Sequence, residues 1–355
     1  MSINAKAITY TQFGSLSEVL KETSYTIDAS SLSGNQVLIK ALATPVNPSD
    51  KVQVLGVYVK GQLRTINNQE VYVGGNEGLF RVEKVGPESK LQVGDWVLPG
   101  SPGYGTWRTA VLATDDDVIK ISSDSDSLTF EQAATIAVNP PTALQMIEEI
   151  PDWKENDWII QNMGGSQVST YVTQIASHLN IKTISIVRSG KSQEYIDGLK
   201  ALGATVVVSE DEFAKDDFFI NLPKLTNHGN IRLALDSLGG PTTTGLVKAL
   251  SQDGLLLTYG SLSGQNISYP GGYQLLKNLT IRPYWLTRNS KANPQSKYDT
   301  LNKIIDFYKK GIIKSVPFNK VEYDGNLLDT YKKAIETSGK QVVVFPKSDA
   351  TNSKY

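Results

Sequence analysis

The chain has no cysteine and only two histidines, His178 and His228. Disulfides, thiolate metal sites and a cysteine nucleophile are thereby excluded. Two imidazoles outside any clustered motif fall short of a zinc ligand set, so no metal is expected. Both histidines are expected at the surface or in a structural hydrogen bond. Long apolar runs are missing too: no stretch approaches the length of a membrane span, and no membrane insertion is expected. Charge of one sign does not dominate. A net charge of -1 argues against general nucleic-acid binding, while leaving room for a local basic pocket. The N-terminal MSINAKAITYTQFG has neither an apolar secretory core nor arginine-rich amphipathic character, so no leader is expected in this sequence. Internal repeats and low-complexity linkers are absent.

What is present fills 355 residues, enough for two domains with separate cores. The first part reads as strands at 5–10, 36–43, 78–85, 91–99 and 105–113, separated by Gly and Pro. Such spacing predicts a β-rich domain, a partly closed barrel. A helix is expected up to about residue 138, then a break at Pro140-Pro141 and a second helix with proline in its opening turn. From residue 157 short apolar runs alternate with helical spans. Strands are expected at 157–162, 182–187, 205–209, 231–237, 254–260 and 279–285, and helices at 166–178, 192–202 and after Pro241. This alternation predicts a doubly wound parallel sheet with both faces covered, an α/β class. Amphipathic helices at 301–312 and 329–337 precede a strand at 340–346 that is expected to return to the β-rich domain. Residues 348–355 read as a loose end. The expected division is therefore 1–125 with 291–355 for the β-rich domain, and 126–290 for a nucleotide domain inserted in it.

The run WIIQNMGGSQVSTYVTQIASHLNIKTISIVRSG, residues 158–190, carries the most chemistry. Gly164 and Gly165 follow the first strand, where glycine permits a sharp turn and close approach of a pyrophosphate to a helix N-terminus. Gly164, Gly165, Ser166, Gln167 and Val168 are the candidates for that contact. Ser169 stands where a third glycine often allows close helix–strand packing. About twenty residues on, a carboxylate would select NAD; the chain has Arg188, Ser189 and Lys191, which could hold a 2'-phosphate and so favour NADPH. On the residues alone, a plain turn and a solvated basic loop stay open. Tyr259, Gly260 and Ser261 end a later strand at the edge where such sheets bind ligands.

NPSD at 47–50, GVY at 56–58, GNEGLF at 75–80, VGDWV at 93–97, LKALGA at 199–204 and LTYGSLS at 257–263 resemble the medium-chain dehydrogenase/reductase superfamily. With YWLT at 284–287, they resemble its mitochondrial trans-2-enoyl-thioester reductases of yeast type, from about residue 5 to 346. The resemblance implies a Rossmann-type sheet domain plus a β-rich GroES-like catalytic domain, without zinc, in a homodimer paired through edge strands around 262–286. It implies NADPH-dependent reduction of the α,β double bond of enoyl thioesters, carried on coenzyme A or acyl carrier protein, for fatty-acid synthesis in the mitochondrial matrix. A chain from which no leader was removed would instead be expected in the cytoplasm.

By the same resemblance Tyr58 meets the thioester oxygen and serves catalysis, and a phenol can donate a hydrogen bond there near neutral pH without prior tuning. Asn47 would orient Tyr58 or the cofactor ribose. Asn47 and residues 75–78 would line the floor near the nicotinamide, with Asn76 and Glu77 on the substrate side. Trp285 would form an acyl or cofactor wall. Arg64, Arg288 and Lys291 are loose candidates for phosphates of coenzyme A or the carrier, each read more readily as a surface charge. Three departures stand out: Arg188-Ser189-Gly190 replaces the usual Arg-Asp-Arg, Val59 replaces a proline, and the stretch between Tyr58 and Gly75 is short. Two other functions remain open: a quinone or small-enone reductase of the same superfamily, and a non-catalytic NADPH-binding protein.

Overall fold

The structure is a computed structural model that describes residues 2–123 and 128–346. The boundary expected at 125/126 and the tail 348–355 lie outside the described residues. The chain forms two units: Met1–Val138 with Asn293–Ile305 and Pro317–Tyr355, and Asn139–Ala292 with Asp306–Val316.

The first unit is β-rich. One sheet has the order Lys21–Asp28, Ser2–Tyr10, Gln69–Val73, Leu63–Ile66. A larger sheet runs Asn319–Glu322, Gln341–Val344, Gln36–Val46, Leu79–Val85, Asp95–Pro99, Val118–Ser123, with Ala110–Thr114 also on Gln36–Val46. The C-terminal strand returns antiparallel to Gln36–Val46, with Val343 opposite Thr44. Alternating side chains Val37, Ile39 and Ala41 turn into a core with Phe80, Val97 and Trp107. Trp107 stacks on Tyr331 at 4.7 Å between ring centroids, and both are fully buried. Burying roughly 200 Å² per ring at about 25 cal/mol per Å² favours the fold by about 5 kcal/mol each.

The second unit is a six-stranded sheet, parallel throughout, in the order Val206–Ser209, Lys182–Val187, Asp157–Gln161, Asn230–Asp236, Leu255–Thr258, Thr280–Pro283. Its strands read as continuous apolar runs because helices cover both faces. The strand order reverses between Asp157–Gln161 and Asn230–Asp236, the switch point at which open α/β sheets bind ligands. The first helix, Gln167–His178, starts after Ser166, whose hydroxyl accepts from Ser169 N at 3.2 Å.

Several elements differ from expectation for local reasons. The strand expected over 105–113 is confined to Ala110–Thr114, because Gly105 sits at φ +81 and Trp107 is turned into the core. The helix expected at 301–312 runs Pro294–Lys309; its polar first turns carry no apolar period, but Pro294 opens it and Asn293 Oδ1 accepts from Ser296 N at 3.3 Å. Lys21–Asp28 has little apolar alternation, and its pairing with Ser2–Tyr10 makes it a strand. Glu210–Phe213 and Asp216–Leu225 are helices that no strong period announces.

Candidate active site

In the first unit, Asn47 caps the short helix Pro48–Val54, and the turn that follows carries Tyr58. Asn47 N donates to Asp50 Oδ2 at 2.7 Å. Asp50 Oδ1 accepts from Asn76 N at 3.0 Å and Asn76 Nδ2 at 2.7 Å. Burial pushes the Asp50 carboxyl up to about 6, against the pull of these donors. Asn76 Nδ2 also donates to Gln53 Oε1 at 3.0 Å, and Gln53 Nε2 donates to the Val59 carbonyl at 2.9 Å. The peptide beside Tyr58 thus hangs on a buried side chain that Asn76 orients. Gly56, at φ +82, makes the turn possible: a Cβ there would lie 2.8 Å from Phe13. Tyr58 itself is half-buried.

A second limb starts from the Asn47 amide. Its Nδ2 donates to Glu77 Oε2 at 2.9 Å, and its Oδ1 accepts from Lys340 Nζ at 2.5 Å. Lys340 also pairs with Glu77 at 3.3 Å, with 5% and 1% of the two side chains exposed. Glu77 Oε1 accepts from Ala137 N at 3.2 Å. The structure therefore brings Asn47, Asn76 and Glu77 together, but their polar groups serve one another. The glycines around them answer to packing: a Cβ on Gly75 would lie 2.3 Å from Trp107 and 2.4 Å from Thr106. Arg64 is half-buried, not a plain surface charge. It and the buried Arg108 stack on Tyr104 at 5.0 and 4.8 Å, and burial lowers its affinity for its proton.

In the second unit, Gly164 N donates to the Ile186 carbonyl at 2.7 Å, so the glycine turn is tied to the end of the second strand. A Cβ on Gly164 would lie 2.8 Å from Ser185 Cβ. Ser169 is fully buried, and its hydroxyl is satisfied by Ser166 Oγ at 3.0 Å, which is how serine replaces a third glycine here. Gln167 and Val168 form the first helical turn. Tyr259 places its hydroxyl beside those of Ser237, Ser169 and Ser166; the oxygen is buried and makes no hydrogen bond of good geometry, and burial raises its pKa. A Cβ on Gly260 would lie 2.7 Å from the Ser237 carbonyl, while Ser261 is exposed. Arg188, Ser189 and Lys191 are exposed at the end of the second strand, and Ser189 Oγ accepts from Asp211 N at 3.2 Å.

These features fit a phosphorylated dinucleotide: a glycine turn at a helix N-terminus, an unpaired buried hydroxyl beside it, and two exposed cations one strand away. Trp285 is not brought to that turn. It follows the edge strand Thr280–Pro283, three strands or roughly 14 Å from Asp157–Gln161. Arg288 and Lys291 lie exposed in the next helix, Leu286–Ala292, and His178 and His228 are exposed.

Asn162, Asp50, Gln53, Lys340 and Tyr195 were not singled out by their sequence patterns. Asn162 Nδ2 donates to Asp236 Oδ1 at 2.6 Å and its Oδ1 accepts from Ser237 N at 2.9 Å, which staples the switch point. The only local hint among them is the Asn-x-x-Asp spacing of a helix cap at 47–50.

Two family models match the chain: the alcohol dehydrogenase GroES-like domain over residues 33–123, and the zinc-binding dehydrogenase over residues 167–305. Among the described residues, no group of three or more His, Cys, Asp or Glu could hold a metal ion. The mitochondrial enoyl-acyl-carrier-protein reductase 1 of Debaryomyces hansenii is 44% identical, over 97% of this chain and 100% of the relative. A variant of Etr1p solved with NADP and crotonyl-CoA superposes with a TM-score of 0.93 at 37% identity, over 97% of this chain and 100% of that one. The mitochondrial 2-enoyl thioester reductase Etr1p/Etr2p heterodimer of Candida tropicalis gives 0.92 at 37% identity, over 96% and 100%.

Proposed function

This chain belongs to the mitochondrial enoyl thioester reductases of the medium-chain dehydrogenase/reductase superfamily, and from that premise we propose that Tyr58 is its catalytic group. The chain is an NADPH-dependent enzyme that reduces the α,β double bond of trans-2-enoyl thioesters, on coenzyme A or acyl carrier protein, in the fatty-acid metabolism of the mitochondrion. The observation that supports the role of Tyr58 is the buried frame beside it: Gln53, oriented by Asn76 and Asp50, holds the carbonyl of the neighbouring Val59, so the backbone next to a half-buried tyrosine is fixed.

NADPH, when bound, supplies the hydride that reaches the β-carbon. Tyr58 donates a hydrogen bond to the thioester oxygen as negative charge grows there; its hydroxyl delivers the proton that completes the α-carbon, and the resulting phenolate takes a proton back from solvent. Asn47, Asn76 and Glu77 act on substrate and cofactor by holding that frame, since their polar groups are engaged within it. Gly164, Gly165, Ser166, Gln167 and Val168 receive the pyrophosphate, Tyr259, Gly260 and Ser261 border it, and Arg188 and Lys191 take the 2'-phosphate. Trp285 contributes an apolar wall.

Oxidation of NADPH is expected with crotonyl-CoA and with a longer enoyl-CoA. Rapid turnover of a simple quinone with none of either thioester would overturn the reading. The chain also forms a homodimer in this proposal, through the outer edge of Thr280–Pro283. Among the described residues that strand has a neighbour on one side only, and Leu275 and Leu276 nearby are each 80% exposed. Leu276→Asp is expected to convert a dimer to a monomer in light scattering; an unchanged mass would reject this edge.

A further inference from the structure

Tyr195 lies on the helix Gln193–Ala201, three residues past its cap, where Ser192 Oγ accepts from Tyr195 N at 3.2 Å. The base of its ring packs on the small apolar cluster of Val187, Leu199 and Ala204. The ring face carries the Lys191 ammonium, 4.7 Å from the centroid. The tip reaches the glycine turn: a Cβ added to Gly165 would fall 1.6 Å from the Tyr195 hydroxyl oxygen. The hydroxyl therefore rests on the Gly165 α-carbon. One side chain spans the pyrophosphate turn of the first strand and the cationic turn of the second, and those turns already touch through Gly164 N and the Ile186 carbonyl.

We propose that Tyr195 and Lys191 form a single grip on the 2'-phosphate of NADPH, with the Tyr195 ring holding the Lys191 ammonium and its hydroxyl donating to the phosphate. The inference rests on the NADPH reading and names residues that make the site selective. An exposed lysine ordinarily samples many rotamers; a cation on an aromatic face is restricted before the ligand arrives. Gly165 gains a second reason to be glycine, since any side chain there would expel the Tyr195 hydroxyl. Ser189 is less available for this task, because its hydroxyl already accepts from the backbone of Asp211.

The test uses the whole chain and two probes without nicotinamide, adenosine 2',5'-bisphosphate and adenosine 5'-monophosphate, titrated by calorimetry. Lys191→Ala and Tyr195→Ala are each expected to weaken the bisphosphate about 10-fold, the size of one lost charge-assisted hydrogen bond. The monophosphate should change by less than about twofold, and the double variant should lose little more than either single one, because the two residues act as a unit. Tyr195→Phe keeps the ring under Lys191 but removes the hydroxyl that donates to the phosphate, so it should lose nearly as much as Tyr195→Ala, about 10-fold. Equal weakening of both probes by Tyr195→Ala would reduce Tyr195 to a support of the turn, and multiplying losses in the double variant would separate it from Lys191. Should Tyr195→Ala fail to fold, Lys191→Ala and Tyr195→Phe still decide: a bisphosphate affinity unchanged in both would overturn the grip. Neither probe needs an acyl acceptor. Absence of crotonyl-CoA turnover in the wild-type chain would sink the reductase reading and leave this inference standing, whereas equal affinity of the wild-type chain for both probes would remove it.

Discussion

Tyr58→Phe is expected to lower kcat for crotonyl-CoA by about 100-fold or more, the usual scale for removing a hydrogen-bond donor aimed at a developing oxyanion. The ring remains, so the turn should keep its shape. Gln53 still holds the Val59 carbonyl, and Gly56 still packs on Phe13. NADPH affinity should stay within about twofold, because the cofactor-binding residues assigned above in the second unit are untouched. Equal kcat/KM in variant and wild type would reject the catalytic role. A loss confined to KM would recast Tyr58 as a binding contact made equally in ground state and transition state. Gln53→Leu offers a contrast. It removes the hydrogen bond that suspends the turn while leaving the phenol, so activity should fall with the Tyr58 hydroxyl still present.

The second large effect concerns stability. Lys340→Met should destabilise the chain by about 3–5 kcal/mol, as breaking a buried pair does when the remaining charge is left uncompensated. Glu77 would keep Asn47 Nδ2 and Ala137 N as donors but would lose the Lys340 ammonium that pairs with it, and Asn47 Oδ1 would lose its donor. At this scale the melting temperature should drop by about 5 °C in a thermal scan. Adding Glu77→Gln is expected to recover much of the loss, because it removes the orphaned charge and leaves an oxygen for the Asn47 amide. A double variant no more stable than Lys340→Met would place the cost in packing around the lysine stem instead.

Much of the second unit was legible before any fold was known. Its strands are short apolar runs bounded by Gly, Asn or Ser, and its helices start at Ser166 and Ser192, residues whose cap chemistry is local. The choice of NADPH came from Arg188 standing where a carboxylate would select NAD, a distance along the chain that the βαβ geometry converts into a position in space. The first unit was less legible. Leu63–Ile66 and Gln69–Val73 form a hairpin on Asn67 and Asn68, whose φ values of +49 and +61 fit a mirror-image turn, yet their short alternation was too weak to read alone. Lys21–Asp28 is a strand because Ser2–Tyr10 pairs with it along its length, a long-range cause that no local period reports.

The sites divide in the same way. Asn47, Asn76 and Glu77 were marked by family motifs, and the structure ties them into one hydrogen-bonded network through Asp50 and the Asn47 amide. Lys340, which completes their network, lies 293 residues from Asn47 and pairs with it because the last strand returns beside Gln36–Val46. Tyr195 reads as an ordinary helix residue until the helix is docked and its hydroxyl falls on Gly165. By itself, then, the sequence determined the parallel sheet, the glycine turn, the cation in place of a carboxylate and the absence of thiol chemistry, since each depends on residue type, period or spacing within one supersecondary unit. The tertiary structure alone decided which polar groups are spent on one another and which remain for a ligand, because that depends on side-chain directions fixed only when distant strands and helices pack.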